Sequence, residues 1–356
     1  MLKELLYKEI VATQLPEQAL LEQIISRAGS VARTKVICEV PWEQTAIPVY
    51  CLEIGSEAAD APVVGFVGGV HGVERIGSQV LLALLSGLVE RYYWDDVLRH
   101  QLERVKLIFI PLLNPTGMLK QTRANYNNVD LMRNAPIDAI GKVPFLLGGQ
   151  RFASWLPWYR GKRNQPMQIE AQAMMQVMDE ALKRSPFCMT LDCHSGYGHV
   201  DRIWFPYAFT NEPFPQLAEV FALKSVFDAS HPHHGYYQFE PQSLAYSTHG
   251  DLWDYLHMQH QQQRSNVFLP LTLEMGSWLW VKKNPKQLFS ALGMFNPILP
   301  HRTERVLRRH VVFFDFLIRA AISWQTWLPK GDERERCARE AIRLWYAQSF
   351  ALSIKN

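Results

Sequence analysis

Short apolar runs that end on glycine or an ionisable side chain constrain this chain more than any other feature of its sequence. Residues 63–67 are apolar throughout and stop at Gly68-Gly69, two residues before His71. Residues 188–191 stop at Asp192 and lead to His194, and residues 268–273 stop at Glu274. Brief runs without polar alternation are the pattern of strands buried on both faces, as in a parallel sheet covered by helices.

Helical patterns separate the runs. Residues 77–93 place Val80, Leu81, Leu84, Leu85 and Leu88 on one face, 105–110 read as a further buried strand, and 167–183 and 214–227 read as helices. Residues 35–40 and 49–54 are β-like, and 16–27 form a lead-in helix whose first turn tolerates Pro16. This alternation predicts an α/β fold: a single catalytic domain over residues 1–300, with a central mixed, largely parallel sheet flanked by helices. Residues 302–324 and 332–351 read as two helices of a C-terminal extension, 301–356, packed on that domain as an appendage. The stretch 135–165 is rich in Pro, Gly and aromatic residues without periodicity, which suits a rim loop or lid over a site.

Charge and cysteine usage narrow the function classes. Lys and Arg number 37 against 34 Asp and Glu, so no basic excess argues for nucleic acid or a membrane surface as partner. The cluster Arg160, Lys162, Arg163 is expected to be a solvated loop. Five scattered cysteines without C-x-x-C spacing argue against a disulfide framework or a thiolate metal site and favour a reducing compartment. The first fifteen residues mix Lys and Glu with apolar residues and resemble no signal peptide, so a cytoplasmic location is expected. Residues 311–324 are too short and too charged for a membrane span. The oligomeric state is left open.

The chemistry lies where the apolar runs end. His71 and Glu74, at i and i+3, point the same way from a first helical turn or tight loop. Imidazole and carboxylate are zinc ligands, and a catalytic zinc takes three protein ligands while leaving a position for water. His194 supplies a third candidate at the carboxyl end of a strand, where open α/β sheets gather their sites. Glu274, at the end of another strand, is either a salt-bridged structural carboxylate or a base facing the same crevice. His231, His233 and His234 lie beside Pro232 and Gly235 and read as a polar loop, not a second metal site. Trp155, Trp158 and Tyr159 read as a packed loop.

Taken in order, His71-Gly-Val-Glu74, Asn114-Pro-Thr-Gly117, Arg123, Asp130-Leu-Met-Arg133-Asn134, His194 and Glu274 resemble the signature of the zinc metallocarboxypeptidase family typified by carboxypeptidase A. The match spans residues 60 to 280. The resemblance implies zinc on His71, Glu74 and His194, with Glu274 as the general base. It implies that Arg123 stabilises the oxyanion, that Arg133 and Asn134 bind the substrate's terminal carboxylate, and that Asp130 accepts a hydrogen bond from His71. Tyr246 matches the tyrosine that closes over substrate, and Asp254 would border the side-chain pocket. One departure stands out, since Met132 occupies a position where the family has Asn, and a thioether cannot donate to a carboxylate.

The expected function is therefore zinc-dependent hydrolysis of a peptide or acylated amino-acid substrate, with a metallocarboxypeptidase first. A zinc amidase or deacylase acting on an acylated amino acid or cell-wall peptide is the alternative that Met132 suggests. A non-catalytic peptide-binding relative is the third reading, opposed by the presence of every ligand and the base.

Overall fold

In the computed structural model, which describes residues 2–262 and 266–347, eight strands form one mixed sheet. They are β1 (Ala32–Trp42), β2 (Thr45–Gly55), β3 (Val63–Gly68), β4 (Lys106–Ile110), β5 (Phe187–Ser195), β6 (Asp201–Phe205), β7 (Tyr237–Pro241) and β8 (Val267–Met275). Their spatial order is β1-β2-β4-β3-β5-β8-β6-β7. The centre, β4-β3-β5-β8, is parallel throughout, as the unbroken apolar runs predict. The β1–β2 hairpin joins β4 antiparallel at one side, and β6, antiparallel to β8, carries β7 at the other.

Alternate residues of the central strands serve two cores. From β3, Val64 and Phe66 enter a core with the helices Pro16–Ala28, Arg75–Tyr92 and Pro300–Ile322, through Leu21, Leu81 and Phe314. Val63 and Val67 enter the opposite core with the helices Ile169–Arg184 and Leu252–Gln261, through Met178, Leu182 and Leu256. The period-two burial of a strand thus explains why a fully apolar run was needed.

Three expectations change. The helix Pro300–Ile322 is one of the layers covering the sheet, with Phe313, Phe314 and Leu317 fully buried and Phe314 5.2 Å from Phe66 between ring centroids, so it is part of the core rather than an appendage. The last helix runs Gly331–Trp345 and packs on the helix Leu217–Ser230 through Cys337, Ala218 and Ala222; residues 348–351 of the expected segment lie outside the described residues. Finally, β5 and β8 continue past their apolar stretches, so that His194 and Glu274 stand within the strands and face each other in register.

Candidate active site

The metal-binding candidates are positioned by a turn that only small residues allow. β3 ends at Gly68, and the backbone passes through His71-Gly-Val-Glu74 into the helix Arg75–Tyr92. At Gly72 an added Cβ would lie 2.0 Å from the carbonyl carbon of Gly117, so two loops touch there backbone to backbone. The Asn114 side chain fastens them: its Oδ1 accepts the Gly117 N–H at 2.8 Å and its Nδ2 donates to Val70 O at 3.1 Å. The Asn-Pro-Thr-Gly turn therefore braces the loop that carries His71 and Glu74.

His71, Glu74 and His194 converge, with candidate ligand atoms all within 4.8 Å of one another. His71 Nδ1 is 2.8 Å from Glu74 Oε1, His194 Nδ1 is 3.0 Å from Glu74 Oε2, and the two Nδ1 atoms are 3.2 Å apart. The ring's other nitrogen decides what Nδ1 does. His71 Nε2 lies 3.2 Å from Asp130 Oδ1, and with its proton there it donates to that carboxylate and turns an Nδ1 lone pair inward. His194 Nε2 is 2.8 Å from Asp192 Oδ2, an ion-pair contact set off the line of a hydrogen bond, and that oxygen also accepts from Trp253 Nε1 at 2.9 Å. Two inward imidazole nitrogens and a carboxylate, all buried, repel one another unless a cation or proton sits among them. That donor set, oriented from behind by carboxylates, fits zinc.

Charge around the cluster is arranged in alternation. Burial opposes ionisation of Glu74, yet His71 and His194 outweigh it and hold its carboxyl below the usual range. Burial likewise opposes Asp130, and Arg123 and His71 hold it well below. For His194, burial disfavours the proton, but Asp192 and Glu74 push its pKa well above the ordinary histidine value. Arg123 spans the group, donating from Nε to Asp130 Oδ2 at 2.7 Å and from Nη1 to Glu74 Oε1 at 3.1 Å. Glu274 is different: burial first, and then the Glu74 charge, push it up to about 8, with the Tyr197 N–H donating to its Oε1 at 3.0 Å.

These groups open on one cavity of about 770 Å³, which Arg133 and Tyr246 also line. Arg133 is buried, donates to the carbonyls of Leu147 (3.3 Å) and Met132 (3.4 Å), and forms no ion pair among the described residues. Burial raises the pKa of the Tyr246 phenol, although Arg133 beside it opposes the shift. The loop expected to cover a site does so through Leu147 and residues 154–158, where Trp155 is 80% exposed at the rim and Trp158 lines the wall.

Two sequence-derived candidates do not reach this cavity. Asn134 turns away, donating from Nδ2 to Arg160 O at 2.9 Å and accepting the Gln168 N–H at 2.6 Å, because the backbone after Arg133 bends beneath the rim loop. Asp254 is buried, and its Oδ2 accepts the Ala208 and Phe209 N–H groups at 2.7 and 2.9 Å. Arg160, expected in solvent, is 4% exposed, donates from Nε to Arg133 O, pairs with Asp138 and so buttresses the substrate-side loop. Tyr159 is buried as a packed loop residue, whereas Trp155 is not. Sequence reasoning missed Asp192, Trp204, Gln242 and Thr272. Alternation back from His194 and Glu274 would have placed Asp192 and Thr272 on the same face as those residues; no local signal marks Gln242.

The comparisons with known proteins agree with this geometry. Among curated proteins, carboxypeptidase SOL1 of Arabidopsis thaliana is 35% identical over 92 residues, 25% of this chain and 19% of that protein. Mouse carboxypeptidase M is 33% identical over 84 residues, 21% of this chain and 19% of that protein. The chain thus matches only about a fifth of the length of these relatives. Among solved structures, thrombin activatable fibrinolysis inhibitor superposes with a TM-score of 0.62 at 17% identity, covering 85% of this chain and 72% of that one. Carboxypeptidase A from Helicoverpa armigera gives 0.55 at 17%, covering 82% and 71%, so the two share this fold. The family model for zinc carboxypeptidase matches residues 45–278, from the second strand to just beyond Glu274, and the chain belongs to the zinc carboxypeptidase family.

Proposed function

We propose that the protein is a zinc-dependent carboxypeptidase that hydrolyses the last peptide bond of a substrate with a free terminal carboxylate. The observation that carries this reading is Arg133, a buried guanidinium with no carboxylate at ion-pair distance among the described residues, facing the same cavity as Glu274 and the His71, Glu74 and His194 cluster. A buried cation left unpaired is costly, and a substrate carboxylate would supply the missing charge.

Zinc held by His71, Glu74 and His194 would act as the Lewis acid for water and for the scissile carbonyl. The chain's own groups do the rest. Glu274, which the metal's charge would keep ionised, takes a proton from the attacking water and returns it to the departing nitrogen; the burial that raises its pKa favours its holding the proton between the two transfers. Arg123 keeps a fixed cation beside the cluster, where negative charge develops on the carbonyl oxygen. Tyr246, next to Arg133, closes the end of the cavity over the terminal residue. The five cysteines form no disulfide, which supports our placing the protein in a reducing, cytoplasmic compartment; thiol titration of denatured protein should then count five.

The test compares one peptide as free acid and as terminal amide. The free acid should be cleaved with kcat/KM at least about 100-fold higher, and Arg133→Leu should abolish most of that preference. Equal cleavage of the amide would instead favour an amidase.

A further inference from the structure

The wall beside Arg133 and Glu274 differs from the rest of the cavity. Thr272 precedes Glu274 by two residues on β8 and so shares its face, and Trp204 on β6 stands opposite Thr272 in register. The Tyr246 ring is 5.8 Å from Trp204, and Gln242 begins the short turn that follows β7. A substrate anchored by its carboxylate at Arg133 lays its terminal side chain against these residues, so any selectivity of this wall rests on the carboxypeptidase reading.

Among the described residues, the ionisable side chains lining the cavity besides its tyrosines are His71, Glu74, Arg123, Arg133, His194 and Glu274, all taken up by the cluster, the base and the carboxylate anchor. None remains to neutralise a charged side chain. Glu240, on the same strand face as Trp204, is held by Arg202 Nε at 2.8 Å and by Trp204 Nε1 at 3.1 Å, and does not line the cavity. Gln242, in contrast, is a residue 9% exposed that lines the cavity, and its carboxamide makes no hydrogen bond to any described residue. Its amide atoms reach the solvent of the cavity, so a bound side chain that displaces that solvent must both donate and accept in its place, and one that cannot leaves the amide unpaired at a cost of about 1–3 kcal/mol.

We propose that Gln242 is a specificity-determining residue, and that the pocket selects C-terminal residues with an uncharged, hydrogen-bonding side chain on a flat body, a phenol or a carboxamide. Tyrosine and glutamine fit. Their bodies lie against Trp204 and Tyr246, and their polar ends meet Gln242 with Thr272 beside it. A lysine or arginine would bury its charge without a counter-ion, a glutamate would bury a second carboxylate near Glu274, and phenylalanine would leave the Gln242 amide unpaired.

The experiment measures kcat/KM of the zinc-loaded protein on N-blocked dipeptides that differ only in their C-terminal residue: Tyr, Gln, Phe, Lys and Glu. Tyr and Gln should exceed Lys and Glu by at least about 100-fold, and Phe by about 10-fold. Gln242→Leu should erase the Tyr-over-Phe ratio, and Gln242→Glu should raise Lys relative to Tyr by about 10-fold or more. Thermal unfolding confirms that each variant is folded, and calorimetric binding of free tyrosine against free lysine to the Glu274→Gln protein reads the same preference without turnover. Cleavage of Lys or Glu peptides as efficiently as Tyr, or a Tyr-to-Phe ratio untouched by Gln242→Leu, would overturn the assignment of Gln242 and leave the carboxypeptidase reading intact. Failure to cleave any free-acid peptide would overturn both.

Discussion

At the scale of single residues, Glu74 and Glu274 are two buried carboxylates in one cavity whose surroundings drive them apart. Against the pull of burial, the histidines hold Glu74 ionised; burial and the Glu74 charge push Glu274 up to about 8 from 4.5. Stability depends on pH accordingly. Between pH 4.5 and about 8 the zinc-free folded protein keeps a proton on Glu274 that the unfolded chain has lost, so stability falls as pH rises through that window. Zinc-free Glu274→Gln protein should therefore be more stable than wild type at pH 8, by about 1–3 kcal/mol, and the difference should vanish by pH 4, as chemical denaturation at the two pH values can check. Activity moves the other way: Glu274→Gln should lower kcat by about 10²–10⁴-fold, because the amide cannot take a proton. In the zinc-loaded enzyme the nearby dication favours ionised Glu274, so the acidic limb of kcat/KM against pH should have its midpoint below 8.

At the scale of elements, the site depends on loops pressed together behind the strand ends. Gly72→Ala should cost at least about 3 kcal/mol in denaturant unfolding and weaken zinc binding, because its methyl meets the Gly117 backbone, which cannot swing away as a flexible side chain could. The same scale shows what could be read from the sequence. β3, β5 and β8 are legible because burial on both faces leaves them apolar. Their ends are not, since Asp192, His194 and Glu274 satisfy one another or the metal site inside the sheet, and hydropathy treats that polarity as the end of a strand. β6 and β7 are obscured for a related reason: Asp201, Arg202 and Glu240 are polar, and only the folded sheet brings Arg202 and Glu240 together. Asn134 and Asp254 mark the reverse error, in which motif order stands in for side-chain direction; the backbone turns each of them to a structural hydrogen bond.

At the scale of the whole molecule, the helix Pro300–Ile322 closes one face of the sheet behind the strands that carry the site. Phe314→Ala should cost about 3–5 kcal/mol and lower the thermal midpoint of the entire domain in a single transition, as expected for a core layer and not for a separable extension. Sequence periodicity found this helix but not its role, because amphipathic spacing reports that one face is buried and not what it is buried against. The sheet between these layers brings together His71, Glu74 and His194, the cluster to which we assign the zinc. Diffraction from zinc-soaked crystals at the zinc absorption edge tests that site directly. One anomalous peak should appear about 2.0–2.2 Å from His71 Nδ1, His194 Nδ1 and the Glu74 carboxylate. No peak there, or a peak only at the loop containing His231 and His234, would contradict the account.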